Sequence, residues 1–115
     1  MIKKENRLKK RKQFNYLYKN GKYVSSDNIG LVYLPLKTKN FKIGYSVSKK
    51  VGKAVVRNKT KRRLKECVLK FSDLIKKEYY IIVIPKKSIT NLNFNQIYLE
   101  TFALFKKAEL INDNN

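Results

Sequence analysis

The sequence predicts an α+β fold. The expected element order is αβββαβα, a two-layer sandwich of one four-stranded sheet with helices packed on it. Three observations predict it. The chain has 115 residues of which 43% are hydrophobic, enough for one core without staples. Four short segments rich in β-branched and aromatic residues are bounded by turn residues. Three other segments repeat apolar residues at helical spacing.

Lys12–Asn20 reads as a short helix, because Phe14, Leu17 and Tyr18 share one face. Asn20-Gly21 reads as a left-handed stop. Lys22–Ser25 and Ile29–Leu36 read as strands, and Leu36–Asn40 as a polar turn. Phe41–Ser48 alternates apolar with small or polar residues, as a half-exposed strand does. Ala54 to about Leu74 is a long helix whose buried stripe is Val56, Thr60, Leu64, Cys67, Val68 and Phe71. Tyr79–Ile84 is continuously apolar, so this strand is expected in the middle of the sheet, ended by Pro85. Asn93 and Gln96 have the spacing of a capping box. The helix they open runs to about Leu110 and buries Phe94, Ile97, Leu104, Phe105 and Ala108. Residues 1–115 form a single domain, with about 1–10 and 112–115 expected to be loose.

The charge is extreme and clustered. There are 28 Lys and Arg against 8 Asp and Glu, a formal net charge of +20. Nine cations fall between Lys3 and Lys22 and nine more between Lys49 and Lys65. No acid occurs between Asp27 and Glu66. A solvated face mixes signs, whereas single-sign clusters are the footprint of a polyanion partner. With no His and a lone Cys67, the commonest general base and a zinc-type cluster are both missing. One cysteine also excludes an intrachain disulfide and fits a reducing, cytoplasmic setting. The basic start is followed by Phe14-Asn15-Tyr16 rather than an apolar run, so no signal peptide is read. No segment has the length of a membrane span.

On the long helix, Arg57, Lys61 and Lys65 recur at i, i+4, i+8, with Asn58 and Arg62 just beyond them. One arc packs and another is a cationic rail. Lys49, Lys50 and Lys53 add cations at the helix start, where backbone N–H groups also favour phosphate. Phe14, Tyr18, Tyr23, Tyr33 and Tyr45 are interleaved with Lys and Arg, the mixture that binds single-stranded RNA by stacking and neutralisation. Phe14 and Leu17 also fit a plain core role.

The run Tyr45–Arg62, with Ser46-Val47-Ser48-Lys49-Lys50-Val51-Gly52-Lys53 leading into Arg57-Asn58-Lys59-Thr60-Lys61-Arg62, closely resembles the signature of the bacterial ribonuclease P protein component. Asn6–Lys10 with Phe14, Tyr18 and Gly21 resembles the first part of that family, and Tyr79–Val83 with Ala103–Lys106 its last strand and helix. The resemblance implies a ribosomal protein S5 domain 2-like fold with a left-handed βαβ crossover. It implies a subunit that binds a catalytic RNA and the 5′ leader of precursor tRNA, with Mg²⁺ held mainly by RNA and no catalytic residue on the protein. The face for the catalytic RNA is then Lys49, Lys50, Lys53, Arg57, Asn58, Lys59, Lys61, Arg62 and Lys65. The leader cleft is Arg7, Arg11, Phe14, Tyr18, Arg57 and Asn58. Lys59 and Lys65 stand where the family has Arg or often has it; they keep charge but lose the planar fork. The aromatic of the family's second strand falls at Val32, with Tyr33 one residue away and on the other face.

Three other functions are weighed. A free-standing nuclease needs paired carboxylates or His, and the eight acids are scattered. A structural ribosomal or nucleoid protein shares the charge but not the Lys49–Lys65 motif. Membrane-surface binding would need the apolar helix face that the core takes. No membrane partner and no small-molecule substrate are expected.

Overall fold

The computed structural model describes residues 3–112. The main elements are α1 (Arg11–Asn20), β1 (Lys22–Ser25), β2 (Ile29–Pro35), β3 (Lys42–Tyr45), α2 (Ala54–Phe71), β4 (Tyr79–Pro85) and α3 (Phe94–Lys107). The sheet order is β1-β2-β4-β3. β1–β2 and β2–β4 are antiparallel, whereas β3 and β4 are parallel and joined through α2. The expected order αβββαβα and the central place of β4 both hold: Ile81, Ile82 and Val83 have no exposed surface.

The period of two along each strand divides the interior. Ile29, Leu31, Ile43, Ile81 and Val83 face α2 and α3 and form the main core with Leu64, Val68, Phe71, Leu104 and Phe105. Val32 and Ile82 face the other way, and Leu8 and Leu17 cover them with Phe14 alongside. The sheet is therefore packed on both faces, fully on one and by α1 with the preceding segment on the other. Tyr33 lies on the α2/α3 side, its ring 6.2 Å from Tyr79. Val32 alone of the pair faces α1.

Several boundaries differ from the sequence expectation. β3 is confined to Lys42–Tyr45, because Lys49–Val51 turns as a 3-10 helix that aims the chain into α2. Gly52 follows at φ +155°, a conformation that a side chain resists. α2 stops at Phe71 and tightens into a 3-10 turn over Ser72–Leu74. Val56, expected in the buried stripe, is 36% exposed; it packs on Gly52 at the helix start, beyond the edge of the core. Gly21 is extended rather than left-handed, at φ −79°. It is glycine for want of space: a Cβ there would lie 2.6 Å from the Leu17 carbonyl oxygen and 2.8 Å from Val32 Cγ1.

The expected capping box of α3 is present. The Gln96 N–H donates to Asn93 Oδ1 at 2.8 Å, and the Asn93 N–H donates to Gln96 Oε1 at 2.9 Å. The helix ends at Lys107, short of Leu110, in a Schellman motif. The Leu110 N–H donates to the Phe105 carbonyl and the Glu109 N–H to that of Lys106. Glu109 occupies the left-handed position, at φ 60°.

The chain before Arg11, expected to be loose, is anchored over residues 3–10. Asn6 is buried and its Nδ2 donates to the Phe41 carbonyl at 2.8 Å. Arg7 bridges Ile43 in parallel, and the Leu8 N–H donates to the Ile43 carbonyl at 2.9 Å. A short polar side chain that completes a backbone hydrogen bond lets this segment extend the sheet past β3. Of the tail expected to fray over 112–115, the Asn112 N–H donates to the Leu74 carbonyl at 2.7 Å. Residues 113–115, like residues 1 and 2, lie outside the described residues.

Candidate nucleic-acid interface

α2 places the rail. Its buried arc carries Thr60, Leu64, Cys67, Val68 and Phe71. Lys61 and Lys65 lie on the arc that faces away from this core and toward the N-terminal segment, with Leu69 one turn further on. Lys59, Lys61, Arg62 and Lys65 are exposed, as are Lys49, Lys50, Lys53 and Asn58. Arg57 differs: it is half-buried, and its Nε makes no hydrogen bond although it is shielded from solvent.

The helix start is electrostatically open. Lys53 sits at the N-cap without a side-chain capping bond, and the first turn holds no acid. Its uncompensated N–H groups therefore lie next to Lys49, Lys50 and Lys53.

The N-terminal segment, β3 and α2 enclose a cleft of about 720 Å³. Arg7, Lys9, Lys61, Arg62 and Lys65 line it as cations; Leu8, Phe14, Ile43, Tyr45 and Leu69 supply its apolar lining. Glu66 is its single acid. Phe14 lies on the backbone of β3, where a Cβ on Gly44 would come 2.5 Å from its Cζ. The Lys65 amine is held below the ordinary lysine value by partial burial, then by the nearby charges of Lys61 and Arg7. The Tyr45 hydroxyl is pushed well up by burial, and further by the nearby Cys67.

The structure thus regroups the residues expected from sequence. Arg7 and Phe14 come together with Lys61, Arg62 and Lys65 at one cleft. Arg57 and Asn58 lie at the start of α2, outside this lining. Arg11 and Tyr18 are exposed on α1 and do not line the cleft either; Tyr18 is 47% exposed. Sequence reasoning missed Leu8, Lys9, Ile43, Gly44, Glu66 and Leu69 as lining residues. Leu69 carried a signal, since it continues the Lys61, Lys65 row at i+4 with an apolar residue.

Cys67 is buried, and burial with the nearby Glu66 charge raises its thiol to about 11. It is an inert core residue. Among the described residues no group of three or more His, Cys, Asp or Glu converges, and no helix is long and apolar enough to cross a membrane.

A small α+β protein whose parallel βαβ unit presents one cationic helix face beside a cation-lined cleft has the electrostatic form of a polyanion-binding domain. Its relatives place it further. The sequence model of the Ribonuclease P family matches residues 2–109, and the chain belongs to that family. It is 34% identical to the ribonuclease P protein component of Streptococcus agalactiae, over 96% of this chain and 100% of that one. It is 36% identical to that of Clostridium botulinum, over 95% and 99%. The Staphylococcus aureus RNase P protein superposes with a TM-score of 0.86 at 32% identity, covering 93% of this chain and 98% of that one. The Thermotoga maritima RNase P protein does so with 0.81 at 28%, covering 88% and 96%. Family membership gives the chain a subunit role in ribonuclease P, a tRNA-processing enzyme with an RNA partner.

Proposed function

We propose that the chain binds the catalytic RNA of ribonuclease P through α2 and its approach, and steadies the 5′ leader of precursor tRNA, while the RNA performs the Mg²⁺-dependent cut. The observation that carries this reading is the α2 surface: seven exposed cations and Asn58 from Lys49 to Lys65, beside a helix start left uncompensated. Counterion release makes such a surface a strong, salt-sensitive ligand for RNA. Lys49, Lys50, Lys53, Arg57, Asn58, Lys59, Lys61, Arg62 and Lys65 take the catalytic RNA. Arg7, Arg11, Phe14, Tyr18, Arg57 and Asn58 take the leader, by phosphate neutralisation and stacking. The scattered carboxylates offer no cluster for a divalent ion among the described residues. Mg²⁺ is held mainly by RNA phosphates in this reading, and the protein's part is to bind and orient in the cytoplasm.

The test is affinity for the catalytic RNA across a salt series. Lys61→Ala should weaken binding and flatten the log–log slope by about 0.7 to 0.9, one phosphate's share. An unchanged slope would remove Lys61 from the interface. Phe14→Ala should cost more affinity for leader-bearing precursor than for mature tRNA, and equal losses would assign Phe14 to the core alone.

A further inference from the structure

We infer that Asn6 is a positioning residue for the leader site: its bond to the Phe41 carbonyl latches the N-terminal segment onto β3 and so sets Arg7 in the cleft before RNA arrives. That role rests on the reading that the cleft receives the leader, whereas the latch itself stands on geometry. Of residues 3–10, only Asn6 and Leu8 are buried, and they flank Arg7. Asn6 Nδ2 donates to the Phe41 carbonyl at 2.8 Å, and the Leu8 N–H donates to the Ile43 carbonyl at 2.9 Å. The two acceptors are two residues apart, so both carbonyls point outward along β3, the edge strand of the sheet. A buried edge carbonyl needs a donor. Asn supplies one at this length, whereas an ionised Asp of the same size only accepts.

The latch works against charge. Residues 3–10 carry Lys3, Lys4, Arg7, Lys9 and Lys10 against one acid, Glu5. Arg7 lines the cleft together with Lys61 and Lys65 of α2. The Lys65 amine is lowered by burial first and then by Lys61 and Arg7, so these cations feel one another. An empty cleft therefore pushes the segment away from α2, and an anionic occupant draws it back. Leu8 is the one apolar side chain of residues 3–10, packed with Leu17, Val32 and Ile82. Terminal segments held this lightly open at little cost in free energy. The Asn6 bond shifts that balance toward the closed form, so leader binding loses less to ordering the segment and gathering its cation.

Hydrogen exchange of the full chain in chloride buffer reads the latch at the Leu8 amide. The Ser46 amide, bonded to the Val83 carbonyl just past the other end of β3, is the internal reference. Losing a buried hydrogen bond shifts an opening equilibrium about 5- to 30-fold. Asn6→Ala should speed Leu8 exchange by that factor and leave Ser46 unchanged. Salt screens the repulsion, so the gain should shrink at about 0.5 M chloride. Adding Lys65→Gln should shrink it at low salt. An equal gain at Ser46 would make Asn6 a support of the whole fold. A Leu8 gain indifferent to salt and to Lys65→Gln would show no charge held in check. Either result overturns the inference. Should Asn6→Ala fail to fold, the unmodified chain serves: its Leu8 exchange should slow relative to Ser46 as salt rises, and a constant ratio would overturn the latch. Substrate binding is then measured on the holoenzyme assembled with catalytic RNA. Asn6→Ala should lower the preference for leader-bearing precursor over mature tRNA about two- to fourfold, in step with the closed fraction that remains. Affinity for the catalytic RNA should not change. An unchanged preference beside faster Leu8 exchange would deny Asn6 a positioning role. Arg7→Ala tests the parent reading separately: if it leaves the preference intact, the leader reading of Arg7 falls and the role of Asn6 with it.

Discussion

The contact between Gly44 and Phe14 joins the fold to the cleft, and a double-mutant cycle measures it. In Gly44→Ala the new methyl would stand 2.5 Å from Phe14 Cζ, 3.0 Å from Cε1 and 3.1 Å from Leu8 Cβ. β3 cannot yield, because it is paired to β4 on one side and bridged by Arg7 on the other. The ring must move, and overpacking of this kind costs about 1–3 kcal/mol. Against it, replacing glycine inside a strand recovers about 0.5–1 kcal/mol of backbone entropy. The net expected loss is about 1–2 kcal/mol. Phe14→Ala alone should cost about 2 kcal/mol, below the range for a fully buried Phe because the ring is partly exposed. With Phe14 already truncated, the obstacle is gone and Gly44→Ala becomes neutral or slightly stabilising. The cycle should therefore show at least about 1 kcal/mol of coupling. Urea denaturation gives the four stabilities with a shared slope. Additivity within about 0.5 kcal/mol would refute the contact.

Glu100 ties the β1–β2 turn to α3: it accepts from the Asn28 N–H at 2.8 Å, from Asn28 Nδ2 at 2.7 Å and from the Ser26 hydroxyl. Burial alone would raise its carboxyl, but the Asn28 and Ser26 bonds and the Lys86 charge outweigh burial and hold it below 4.5. A depressed carboxylate stabilises the fold above its unfolded value and loses this as pH falls through the folded one. Denaturation of Glu100→Gln should thus show a deficit at pH 7 that shrinks below about pH 4; a deficit independent of pH would contradict the charge-assisted bonds. Glu109→Gly should raise stability by about 1 kcal/mol, since Glu109 holds the left-handed position of the Schellman motif; a loss in thermal denaturation would count against that geometry. Gly52→Ala should lower stability by about 1–3 kcal/mol, through its φ and its approach to Val56; an unchanged urea midpoint would speak against the turn.

How far the sequence revealed this molecule follows from how local each signal is. The stripe Thr60–Leu64–Cys67–Val68–Phe71 and the Asn93/Gln96 box depend on neighbours within a turn or two, and both are present as expected. Val56 obeys the same periodicity yet lies at the surface, because α2 reaches past the edge of the core there. The anchoring of Asn6 depends on a carbonyl 35 residues away, at Phe41. No window of sequence contains that partner. The cleft is hidden for the same reason: Arg7 and Phe14 meet Lys61, Arg62 and Lys65 only once β3 and α2 are placed by the parallel pairing of β3 with β4. The opposite faces of Val32 and Tyr33 were legible from alternation alone, and the register fixes which is which: Val32 pairs with Tyr23 and Ile82, and all three lie on the α1 side.

In this reading the chain supplies charge and position, while the cutting chemistry belongs to RNA. Reconstitution decides between that division of labour and a protein nuclease. 5′-labelled precursor tRNA is incubated at low Mg²⁺ with the protein alone, with a bacterial ribonuclease P RNA alone, and with both. Leader release at the mature 5′ end should occur only when both are present, and the protein alone should cut at no Mg²⁺ concentration. Leader release by the protein without RNA would place the chemistry on the chain and end this reading.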